Sequence, residues 1–222
     1  MAIGRARSPW VSVFSRATRL PPRPQRPWKA LYVAAVLAAD LISAAEFELS
    51  YLKVVDDAVA TLLDIRFMLV NALVGAKRTD DGARLYRSAL DVAGRIKGPP
   101  YLDRSIAVAS NNLGWTLCEM PSRTADEDAL MQLAADTSHA FWRRCGTWIN
   151  EERALYLKAV VAHATGQAQT ALTLADTALG VIAANGERPL DAARLHLARA
   201  ASLSALGDMA GGVGALADAD AA

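Results

Sequence analysis

From Trp28 onward the chain runs as long apolar-periodic stretches separated by breaks only a few residues long, and this punctuation limits the fold more than any other feature. Apolar residues recurring every three to four positions mark helices, and short connections force consecutive helices to lie antiparallel. The breaks fall at Lys77-Arg78-Thr79, Gly98-Pro99-Pro100, Pro121-Ser122-Arg123-Thr124, Gly146 to Asn150, Gly166, Asn185 to Pro189, and Gly207-Asp208. They delimit nine expected helices at about 28–47, 50–76, 80–96, 101–119, 125–144, 151–165, 167–184, 189–206 and 208–219. Strand-like alternation of Val, Ile and Thr is missing. Ala supplies much of the 53% hydrophobic share and aromatics only 6%, which favours helix over sheet. The expected class is all-α.

The breaks also carry helix-start chemistry. Thr124 followed by Glu127 fits a capping box, in which hydroxyl and carboxylate satisfy exposed amides reciprocally. Asn150 and Asp208 fit N-caps and Pro189 a first helical turn. Asp80-Asp81 and Glu151-Glu152 read as helix-start acids that complement the helix dipole.

Self-comparison then exposes a repeat. The clearest unit runs from Glu152 to Ala184, with Gly166 at the turn and Ala171, Ala175, Ala178 and Leu179 on the second helix. Gly82, Tyr86, Ala89 and Leu90 reproduce those second-helix positions, behind Leu69 and Leu73 on the preceding helix. Leu113-Gly114 with Leu117 forms another unit; Gly207, Ala200, Leu203, Gly212, Leu216 and Ala219 form the last. Equivalent positions step by 44, 45 and 41 residues. The pattern resembles the tetratricopeptide repeat (TPR), in which a glycine closes the turn and small residues bring the two helices of a pair together. The steps are longer than the ~34 residues of standard repeats. The resemblance implies a right-handed α-α superhelix, a solenoid of antiparallel helix pairs, over residues 29–222.

It also implies a working surface, because the first helix of each pair lines a groove that binds peptides in the family. Carried over unit by unit, the partner-binding positions are Phe67 and Asn71; Asn111, Trp115 and Glu119; Arg153, Tyr156 and His163; and Arg194 and Leu197. Asn can bond backbone donors and acceptors, Arg can hold a carboxylate, and Trp and Tyr supply apolar area. The expected partner is a protein or peptide.

Catalytic chemistry finds no support in the motifs. Gly211-Gly212-Val213-Gly214 has neither a preceding strand nor a following Lys, as a phosphate loop requires. G-x-S-x-G and H-E-x-x-H are absent. Asp136 and His139 share a helix face, but a di-metal carboxylate site needs that motif twice. Adjacent acids point about 100° apart on a helix and make no catalytic pair. The expectation is a non-enzymatic interaction or scaffold module without cofactor or metal. The alternative is the ligand-sensing helical domain of a transcriptional regulator or signalling assembly. The densest aromatic and basic cluster, Phe141 to Trp148, reads as packing between units with its arginines solvated.

Charge is unevenly distributed. Residues 1–39 hold six Arg, one Lys and no acid, whereas the remaining 183 carry 17 basic and 23 acidic side chains. An acidic body argues against direct nucleic-acid binding. Residues 1–28 read as a disordered basic Pro/Arg-rich tail or an upstream extension of the reading frame. An Arg-rich, acid-free transit peptide and a secretory signal over Ala30–Ala45 are the competing readings. The uncharged run after Lys29 is about half the ~20 residues that span a bilayer. Cys118 and Cys145 read as small buried hydrophobes in a reducing, cytoplasmic setting. Oligomeric state is not legible.

Overall fold

The computed structural model describes residues 25–222; the basic segment ahead of Gln25 lies outside the described residues. Every regular element among them is a helix. The chain divides after Val54 into two compact units.

In the first unit, α1 (Gln25–Leu37) packs against α2 (Leu41–Leu52). Pro27 lies in the first turn of α1, where a missing N–H costs nothing. The Trp28 and Phe47 rings meet at 6.0 Å. One long helix was expected over 28–47 and a second over 50–76; three helices occupy that stretch instead. The first break is a left-handed Ala39 (φ 60°), with Asp40 N–H donating to Ala35 O and Ala39 N–H to Val36 O. Asp40 then caps α2 by accepting from Ser43 N–H at 3.0 Å. The second break ends in Asp57, which accepts from Ala60 N–H at 2.9 Å and starts α3. Each of these aspartates satisfies an otherwise orphaned amide of the first turn.

The second unit comprises α3 (Ala58–Gly75), α4 (Thr79–Arg95), α5 (Pro100–Cys118), α6 (Ala125–Cys145), α7 (Trp148–Ala164), α8 (Ala168–Asn185), α9 (Pro189–Ala205) and α10 (Met209–Ala221). Helices pack in consecutive pairs: α3 with α4, α5 with α6, α7 with α8, and α9 with α10. The first helix of each pair also touches the first helix of the next, α3 to α5, α5 to α7 and α7 to α9. The capping box at Thr124 and Glu127 is present, with Thr124 N–H donating to Glu127 Oε2 at 2.8 Å. Asp208 caps α10 by accepting from Gly211 N–H. Asn150 is not the N-cap of α7. That helix begins at Trp148, and Asn150 reaches back from its third position to accept from Thr147 N–H at 3.0 Å.

Close packing explains two glycines. A Cβ on Gly82 would lie 2.8 Å from Val74 Cγ2, so its absence lets α4 approach α3. On α10, a Cβ on Gly212 would lie 2.8 Å from Ser204 Oγ of α9. Around these joints Phe67, Tyr86, Ile106, Leu113, Leu117, Leu130, Met131 and Leu157 form one buried core. The Tyr86 hydroxyl, buried within it, is 2.7 Å from Ser110 Oγ, as a desolvated phenol requires. By length and composition α3 would suffice to cross a membrane, with mean hydropathy 1.7; half of it is instead buried inside the protein.

Candidate partner-binding face

The first-helix side of the second unit offers two different surfaces. The first is a cleft of about 430 Å³ between α3 and α5, lined in part by Met68, Asn71, Tyr101, Arg104, Val108 and Asn112. Met68, Tyr101 and Val108 keep apolar surface exposed there. Phe67 is part of the floor: it is buried, with its ring 5.9 Å from Tyr86 in an edge-on arrangement. It was expected to offer a contact surface and instead supplies core packing. Asn71 is a strap. Its Nδ2 donates to Phe67 O at 3.1 Å and to Ala109 O of α5 at 3.0 Å. Both acceptors are carbonyls, so the amide orientation is fixed by chemistry. Its buried Oδ1 is left without a partner in the protein.

The second surface lies where α5, α7 and α9 meet. Trp115 of α5 and Tyr156 of α7 touch, with ring centroids 5.6 Å apart. Burial pushes the Tyr156 hydroxyl pKa up, and the charge of Arg194 on α9 pulls it back. One turn from Tyr156 on α7, Arg153 reaches across to Asp191 of α9 at 3.1 Å. Asp191 is also held by Arg188 at 2.9 Å and approached by Arg194 at 3.9 Å. Desolvation raises the Asp191 pKa, but hydrogen bonds from Arg188 and Arg153 outweigh it and hold the carboxyl below its ordinary range. Glu152, beside Arg153 in sequence, points into the core at 1% exposure, and its Oε2 has no hydrogen-bond partner. Burial first, then repulsion from Asp191, push its pKa up to about 7. Glu152 was expected to be a helix-start acid serving the dipole; its buried position excludes that role.

Trp115, Arg153, Tyr156 and Arg194 thus belong to one connected cluster. Leu197 lies one turn beyond Arg194 and is 51% exposed. Asn111 is half-buried on α5, and Glu119 is exposed at the C-cap of that helix. His163 stands exposed in the last turn of α7, where its backbone O accepts from Gly166 N–H; it does not join the cluster. The residues missed by the sequence reading are Glu152, Arg188 and Asp191 here, and Met68, Tyr101, Arg104 and Val108 in the cleft. One signal for Glu152 was available. It lies on the same 3.6-residue stripe as Leu155 and Ala159, both of them buried.

Other candidate groups have ordinary partners. Asp136 pairs with Lys158 at 2.9 Å rather than with His139. Trp142 packs against Ala107 and Ala154 beneath the Arg104 guanidinium, and Arg144 lies over Phe141. Both cysteines are free and half-buried, and burial holds the Cys118 thiol pKa up at about 11. No group of three metal-ligating side chains occurs among the described residues. No protein-family model matches the chain, and no curated protein matches it in sequence.

Proposed function

We propose that residues 58–222 form a non-enzymatic interaction module, similar in build to TPR arrays, that holds a peptide or a segment of a protein partner along its first helices. The observation that carries this reading is the adjacency of α3, α5, α7 and α9, which sets an apolar cleft and an aromatic–arginine cluster on successive joints of the same helix series. Consecutive pairing with contact between first helices is the packing that a right-handed α-α superhelix requires. The small residues Gly82, Ala171 and Gly212, buried at equivalent second-helix positions, fit the same repeat. Free thiols fit a cytoplasmic setting. An acidic body disfavours nucleic acid as the partner.

A second reading draws on the α3–α5 cleft alone. Its volume of about 430 Å³ falls within the ~300–1,000 Å³ range of small-molecule sites, which suits the ligand-sensing domain of a regulator. Affinity capture with the wild type beside a Trp115→Ala/Arg153→Ala double variant tests the peptide reading. A partner recovered by the wild type and lost from the folded variant is the expected result. Equal recovery by both moves the interface off this face.

A further inference from the structure

The α5–α7–α9 cluster has a charge opposite to that of its surroundings. From Asp40 onward the chain carries six more acids than bases, yet three guanidiniums converge at this joint. Arg153, Arg188 and Arg194 share one ionised carboxylate, that of the buried Asp191. Arg188 is the more enclosed, with its side chain 35% exposed; Arg153 and Arg194 are 52% and 51% exposed. Arg194 is only loosely engaged, its Nη1 lying 3.9 Å from Asp191. Glu152 is the second carboxylate at the joint, but it is buried and contributes negative charge only when deprotonated. The cluster therefore presents donors in excess of its own acceptors, beside the apolar surface of Trp115, Tyr156 and Leu197.

We propose that this joint is the recognition point for an acidic peptide segment, whose carboxylates bond Arg153 and Arg194 while a neighbouring apolar side chain rests against Trp115 and Tyr156. The inference builds on the interaction reading above and names the partner's chemistry. Two carboxylates fit because guanidinium forks match carboxylates in geometry and charge. A basic partner would meet like charge at the joint, and a neutral one would leave the guanidinium donors to water. Glu152 tunes the site from below. The charged groups facing it are Asp191, Arg153, Arg188 and Arg194. As pH rises through about 7, Glu152 loses its proton and its charge offsets one guanidinium, so the hold on an acidic peptide weakens.

The test uses three fluorescein-labelled peptides of equal length, each with one central Leu: one rich in Asp and Glu, one with Ser in place of the acids, and one with Lys. Fluorescence anisotropy against the full chain should detect the acidic peptide alone, with affinity falling as salt is added. Arg194→Gln should weaken it about tenfold, the scale of a lost charge-assisted hydrogen bond. This variant leaves Arg153 and Arg188 on Asp191, so the α7–α9 joint keeps its closure. Glu152→Gln should bind with unchanged strength from pH 6 to about 8, while the wild type weakens over that range. Binding of the acidic peptide that Arg194→Gln leaves intact, or no binding of it at all, overturns the proposal. Binding of the Ser peptide in its place would overturn the acidic specificity while the broader peptide reading stands.

Discussion

The α3–α5 and α7–α9 joints both enclose apolar residues but differ in the polar contact that crosses them. At α3–α5 Asn71 spans to Ala109 with an uncharged amide, beside Phe67, whose ring packs onto Tyr86 of α4 in the core beneath. At α7–α9 an arginine from one helix grips a buried aspartate on the other, beside a second buried acid, Glu152, whose Oε2 has no hydrogen-bond partner. The first joint draws its stability from buried apolar area and a neutral hydrogen bond, neither of which changes with protonation. The second adds an ion pair to an apolar core that includes Leu155 and Ala159 of α7 and Leu195 of α9, and buried ion pairs contribute little beyond a well-packed apolar contact. Similar helix neighbours therefore do not imply similar energetics. The charged joint sacrifices stability at a place where donors face outward.

The comparison breaks most visibly at Phe67. Phe67→Ala should cost about 3–5 kcal/mol, because it removes a buried ring and leaves a cavity under the cleft. Urea denaturation at several pH values should give the same loss at each; a loss that varied with pH would place ionisation at the wrong joint.

Glu152→Gln should have the next largest effect, with the opposite sign above neutrality. The folded pKa of about 7 exceeds the ordinary glutamate value of 4.5. The folded state therefore binds more protons than the unfolded state between those two values. Wild-type stability accordingly falls as pH rises from about 4.5 through 7, and the full penalty is present above 7. Removing the charge should stabilise the protein at pH 8 by up to about 3 kcal/mol, since one pKa unit corresponds to ~1.36 kcal/mol. At pH 4 the two proteins should be nearly equal. Parallel stability curves for wild type and variant across that range would assign Glu152 an ordinary pKa.

Asn71→Ala should have the smallest effect, about 1 kcal/mol, from the hydrogen bond lost across the α3–α5 joint, since the Ala109 carbonyl keeps its partner within α5. Its pH profile should match that of the wild type. Hydrogen exchange should report faster opening of α5 near Ala109 than of α9, and uniform loss of protection would show that the strap acts on the whole unit rather than on one joint.

Much of the helix map was readable from local chemistry, and its errors share one cause. Four helix ends close with the same pair of backbone hydrogen bonds around a left-handed residue: Ala39, Lys77, Gly166 and Gly207. Gly166 and Gly207 announce that conformation, since glycine adopts it without strain. Lys77 was found through the polar run that follows it. Ala39 sits in an apolar stretch and pays roughly 1–2 kcal/mol to be left-handed, so nothing in its identity marks a helix end. The site divides in the same way. The expected repeat register named Trp115, Arg153, Tyr156 and Arg194, which the structure brings into one cluster. It also named Phe67, whose side chain turns instead onto Tyr86.

The sequence by itself determined that the chain is helical, where most helices begin and end, and which helices must lie antiparallel. These follow from capping, periodicity and short connections, all interactions within a few residues. Only the tertiary structure decided that Glu152 is buried beside Asp191, that three arginines share that aspartate, and that the cleft lies between α3 and α5. Glu152 and Asp191 come from different helices, 39 positions apart in the chain. A carboxylate's charge and donors depend on what packs against it, and local sequence does not encode that neighbour.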